Sequence, residues 1–257
     1  MNPLRLVIFF TSFFCICACK STIKQQKDEL YSRHLQRQVE LTIITTAMPD
    51  KKEEMNLLLF NDSKWVKETK AKEIIDSLYK KKLIQPLLLV GFSGLEKEYG
   101  LQEIDGVEAK QYKKFNDFVI NELYPFIKKK ATVRKFKAVG ICGFGPSALS
   151  AFDVAWNNDE KIRMLGMFQT DFQLSSLYND SLVISTIDKL RKRPDLKIWM
   201  SARTTDTTSS QFKKIMDATK SITECTLVTN DKNENINAKK FALFYCGLIQ
   251  DNLLLNT

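Results

Sequence analysis

The stretch from Ala138 to Trp156 constrains the fold more than any other part of this chain. Phe136 to Gly143, with the apolar run Ala138-Val-Gly-Ile-Cys-Gly143, has the pattern of a strand covered on both faces. Helical spacing follows from Ser147 to Trp156, with only Phe144, Gly145 and Pro146 between. Proline suits the first turn of a helix, where its missing N–H has no intrahelical acceptor. Glycine accepts the positive φ that so abrupt a reversal demands. A strand passing at once into a helix is the unit of a parallel sheet, in which helices form the crossovers.

The rest of the chain repeats that alternation. Strands are expected at Gln38–Met48, Met55–Phe60, Pro86–Gly91, Met164–Phe168, Leu196–Ala202 and Cys225–Val228. Helices are expected at Ala71–Leu83, at Lys110–Lys128 with a kink at Pro125, and at about 181–193, 209–221 and 238–253. The fold class is therefore α/β: a mainly parallel twisted sheet with helices on both faces. A chain of 257 residues fits one such domain, taken to run from residue 31 to 257.

The first residues read as an export signal. Met1–Arg5 is a short positive segment, Leu6–Phe14 an apolar one, and Ile16-Cys-Ala-Cys19 resembles a bacterial lipobox. The expectation is a signal peptide over 1–18, lipidation of Cys19, a polar tether over 19–30, and a lipoprotein anchored to a membrane in the cell envelope. The net charge is +9, with runs at Lys80–Lys82, Lys128–Lys130 and Arg191–Arg193 that each follow a helical stretch. Cations there complement a helix C-terminus, and export argues against a nucleic-acid partner. A single histidine, His34, excludes a multi-histidine metal site. Cys142, Cys225 and Cys246 lack the spacing of a disulfide scaffold. No cofactor and no metal are expected.

The order of segments resembles the esterase branch of the α/β-hydrolases that includes esterase D and enterochelin-esterase-like proteins. Ser32-Arg-His-Leu-Gln-Arg37 resembles the lead-in to that family's first strand. Leu57-Leu-Leu-Phe-Asn-Asp62 resembles the strand ending in its oxyanion loop, with Ser63 in place of glycine. Leu87-Leu-Leu-Val-Gly-Phe92 resembles the next strand, and Leu165-Gly-Met-Phe-Gln169 a later one. The most specific match is Phe118-Val-Ile-Asn-Glu-Leu-Tyr-Pro-Phe-Ile127. Gly143-Phe-Gly-Pro-Ser147 stands where the nucleophile elbow, G-x-S-x-G, is expected.

The resemblance implies an ester hydrolase with a serine, an acid and a histidine. Carried over position by position, it places Gly145 at the serine, Asp206 at the acid and Lys232 at the histidine. Gly145 has no hydroxyl. Pro146 has no N–H to donate to an oxyanion, a loss of about 3–4 kcal/mol in transition-state stabilisation. Lys232 cannot act as a neutral imidazole at its ordinary pKa. The expectation is a catalytically degenerate hydrolase, binding a small molecule or an envelope protein at a cleft rimmed by Asn61, Asp62, Phe144 and Gln169. An Asp206–Lys232 ion pair would fill the old catalytic centre. Two alternatives stay open: an active carboxylic-ester hydrolase using Cys142 as nucleophile, and a purely structural envelope lipoprotein.

Overall fold

A computed structural model describes residues 23–46, 55–92, 113–170, 195–203 and 225–230. Eight strands form one sheet: β1 (Lys24–Ser32), β2 (Arg37–Thr45), β3 (Asn56–Asn61), β4 (Leu87–Phe92), β5 (Val139–Phe144), β6 (Met164–Thr170), β7 (Lys197–Arg203) and β8 (Cys225–Asn230). Their spatial order is β1-β2-β4-β3-β5-β6-β7-β8. β1 and β2 are antiparallel to each other, β2 is antiparallel to β4, and every pairing from β4 to β8 is parallel. β3, β4 and β5 are buried at every position, which is why their sequences are continuous apolar runs.

Helices cover both faces of this sheet. α1 (Ser63–Glu68) and α2 (Ala71–Lys80) pack Val66, Ala71, Ile74, Ile75 and Leu78 on one face. α3, residues 113–131, and α4 (Pro146–Asn157) pack Phe115, Phe118, Leu123, Phe152 and Trp156 on the other. The fold class is thus the one expected. The helices expected at 181–193, 209–221 and 238–253 lie outside the described residues, as do residues 1–22 with Cys19.

Two local expectations change. The polar tether expected over 19–30 gives way at Lys24 to β1, whose pairing with β2 runs unbroken from Lys24↔Thr45 to Ser32↔Arg37. Its exposed polar side chains concealed it, because an edge strand facing solvent need not alternate apolar residues. The supposed lead-in at Ser32–Arg37 is the turn of that hairpin. α3 does not simply kink at Pro125. Proline cannot donate to the Asn121 carbonyl, and the preceding residues Phe118–Leu123 widen to a π-helix, in which the Tyr124 N–H reaches Val119 O. Glu122 in this segment accepts from Ser32 Oγ at 2.5 Å and from the Arg33 N–H at 2.9 Å, so the most family-like motif clamps the β1–β2 hairpin.

Asp153, on α4, is the one described carboxyl raised far by burial, from its ordinary value to about 6, against a smaller opposing effect of the Asn157 amide. A carboxyl whose folded pKa is raised costs stability above that pKa and costs nothing below its unfolded value. Asp153→Asn is therefore expected to stabilise the fold by about 1–3 kcal/mol at pH 8 and by almost nothing at pH 4. Urea denaturation at the two pH values checks it; an equal effect at both would remove the electrostatic cause.

Candidate functional site

The C-terminal ends of the parallel strands meet at Gly145. β5 stops at Phe144, Gly145 adopts φ 53° and ψ −127°, and α4 begins at Pro146. Residues with a side chain enter such a conformation only under strain. The turn is fixed by its own hydrogen bonds. The Gly145 N–H donates to Phe168 O of β6 at 2.9 Å, and the Ala148 N–H returns to Gly145 O at 3.1 Å. Ser147 Oγ accepts from the Phe144 N–H at 2.9 Å and donates to Phe144 O at 2.8 Å. Ser147 is buried, and its hydroxyl closes the turn.

Gly143 lies in the tightest place. A Cβ built there would stand 2.3 Å from Ser147 O and 2.5 Å from its carbonyl carbon. The first turn of α4 therefore rests directly on the β5 backbone. Gly145 is the opposite case: no atom of the described residues comes within 4 Å of a Cβ built on it. This is the position that the resemblance gives to the nucleophile, and it carries a hydrogen atom.

The backbone donors near the turn are few. Pro146 contributes none. In the loop after β3, the Asp62 N–H donates to Phe92 O at 3.1 Å, the Lys64 N–H to Asp62 Oδ1 at 2.9 Å, and the Trp65 N–H to Asp62 O at 3.2 Å. Asp62, at φ 83°, is the N-cap of α1, which starts immediately after the strand. These amides are spent on closing the loop and cannot turn to a ligand without opening it.

Several expected roles are corrected by this geometry. Asn61 is no rim residue. It is fully buried, and its Nδ2 donates to Ser147 O at 3.0 Å and Ser150 Oγ at 2.9 Å, tying β3 to the start of α4. Phe144 does not line an open cleft either. It is buried in an aromatic stack, with Trp65 and Phe168 each at 4.5 Å between ring centroids and at interplanar angles of 10° and 14°. Phe60 at 5.6 Å from Phe144, and Trp199 at 4.9 Å from Phe168, extend the stack across β3, β5, β6 and β7. Cys142 is fully buried in the middle of β5, and burial pushes its thiol pKa well above the ordinary value, away from the reactive thiolate.

Asp62 remains at the surface of the site, half-buried. Gln169 lies in β6, which β5 separates from β3. Asp206 and Lys232 lie outside the described residues, and so does their expected ion pair. His34 sits in the β1–β2 turn, separated from β5 by β2, β4 and β3, or roughly 19 Å at ordinary strand spacing. Sequence reading missed Trp65, which stacks on Phe144; Asp62 as an N-cap directly after a strand was the available signal for α1.

No protein-family model and no curated protein matches the chain. Solved structures do. A ferulic acid esterase superposes with a TM-score of 0.66 at 14% identity, over 88% of this chain and 96% of the esterase. An IroE-like serine hydrolase from Shewanella oneidensis gives 0.66 at 14% identity, over 86% of this chain and 78% of the other. Ferric enterobactin esterase from Salmonella typhimurium gives 0.68 at 16% identity, over 87% of this chain and 58% of the esterase.

Proposed function

The chain has an α/β-hydrolase fold like that of these esterases, and on that premise we propose that it is a hydrolase relic: a lipid-anchored, catalytically degenerate binding module of the cell envelope. The observation that carries this reading is Gly145, held at a positive φ after β5 with no atom of the described residues within 4 Å of where a Cβ would stand. Acyl transfer needs a nucleophile, a base to activate it and donors aimed at the oxyanion. Gly145 supplies no nucleophile, Pro146 removes a donor, and Lys232 occupies the position the resemblance gives to histidine. Burial of Cys142 speaks against the active-esterase alternative.

A turn that no longer reacts still leaves the space beside Gly145 clear of described atoms to 4 Å from a Cβ built there, room for a small ligand group. The ligand class suggested is the one the fold handles elsewhere, small acyl and aryl esters or their acids, bound without turnover. The test is thermal denaturation against a panel of such compounds, with each compound recovered and analysed. A ligand at a hundredfold its Kd stabilises by about 2.7 kcal/mol, a Tm rise of roughly 5–10 °C for a domain of this size. The expected result is such a rise for at least one compound, recovered intact. No rise across the panel would leave a scaffold and overturn the binding reading.

A further inference from the structure

In a parallel sheet the helices that feed the strands all end at the edge opposite the strands' C-termini, so the basic runs at those helix ends share one edge, remote from Gly145. Lys81 and Lys82 follow α2, Lys129 closes α3, Arg134 and Lys135 precede β5, and Lys161 precedes β6. All six are exposed, and none forms an ion pair with a described residue. Other cations of the edge are neutralised: Lys80 by Asp76 at 2.6 Å, Lys130 by Asp28, and Arg163 by Asp195. Glu160 is an exposed acid next to Lys161. Helix dipoles account for each cation singly. They do not account for where the chain enters the domain.

Lys24 pairs with Thr45, and Thr45 pairs with Leu88 near the start of β4. The first residue of β1 therefore lies at this same basic edge. From Cys19 to Lys24 is five residue steps, a reach of at most about 18 Å. An acyl chain on Cys19 would hold the edge within roughly two Debye lengths of the lipid headgroups. Exposed lysines at that distance are attracted by anionic lipid. We propose that this basic edge docks on an anionic bilayer surface and turns the Gly145 end of the sheet away from the membrane. The proposal rests on the lipid anchor of the preceding reading and supplies an orientation for it.

The test uses the full chain purified from membranes and reconstituted in vesicles, either neutral phosphatidylcholine or the same lipid with phosphatidylglycerol. Lysine acetylation is then read residue by residue by mass spectrometry. Acetylation of Lys81, Lys82 and Lys135 is expected to fall about threefold on anionic vesicles relative to neutral ones and to recover at high salt. Lys67 on α1 and Lys114 on α3, near the other end of the sheet, should not change. Equal acetylation on both vesicles would overturn the proposal, as would protection by a soluble polyanion but not by the bilayer. In a Lys81→Gln, Lys82→Gln, Lys135→Gln variant the salt-sensitive protection of Lys129 should be lost.

The mass of the N-terminal peptide separates the two claims. If Cys19 carries no acyl group, the anchor fails on its own account. Flotation of the same chain with the two vesicle types then decides the edge: salt-sensitive flotation with anionic vesicles alone upholds it, and no flotation overturns it.

Discussion

Gly143→Ala is expected to leave little folded protein. The added methyl would stand 2.3 Å from Ser147 O, a backbone atom in the first turn of α4. That oxygen also accepts from Asn61 Nδ2 and Ser150 Oγ, so it cannot swing aside alone. Relief requires lifting α4 from the sheet, which opens the packing of Ala148, Ala151 and Phe152, all buried. The cost should exceed about 4 kcal/mol, most of the margin of a domain at the low end of ordinary stability. Gly145→Ala, two residues on, should cost only the backbone strain of its positive φ, about 1–2 kcal/mol. Urea denaturation of the two variants orders them; a milder effect at Gly143 than at Gly145 would show that the elbow is not packed as described.

The second large effect is a gain. Gly145→Ser is accommodated, because no described atom lies within 4 Å of its Cβ. Alone it should leave hydrolysis at background, since a serine without a base is a weak nucleophile and the members of a triad act together. Pro146→Met returns one oxyanion donor, about 3–4 kcal/mol of transition-state stabilisation. Lys232→His returns the base at the position the resemblance assigns to it. The three together are expected to give slow but measurable ester turnover, and any one of them none. The Asp62 amide, already donated to Phe92 O, limits how far the restored site can go.

What the sequence made legible follows the physics of burial. β3, β4 and β5 lie inside the sheet, so their apolar runs identified them, β3 and β4 within about a residue and β5 with its start three residues early. The elbow was legible because Gly145 and Pro146 each impose a local backbone rule. β1 escaped because its first residues, Lys24 to Lys27, are polar and exposed and so show no apolar alternation. The roles of Asn61 and Phe144 were misread for a different reason. Their position along the strand was right, but which way a side chain turns at a strand's end depends on packing partners, here Ser147 and Trp65, that only the fold brings together. The Glu122 clamp on Ser32 and Arg33 spans about ninety residues of chain and leaves no local trace.

The central claim is that the elbow is intact and the chemistry absent. The most direct measurement is hydrolysis of short acyl and aryl esters by the purified chain, with Cys142→Ala and the Gly145→Ser, Pro146→Met, Lys232→His variant in the same assay. The account predicts no turnover above background by the wild type or by Cys142→Ala, and turnover by the triple variant. Turnover by the wild type that persists in Cys142→Ala would contradict it, because another group would then be doing the work assigned to the missing serine. Turnover lost with Cys142 would contradict it equally, by making a working nucleophile of a thiol that the fold keeps buried.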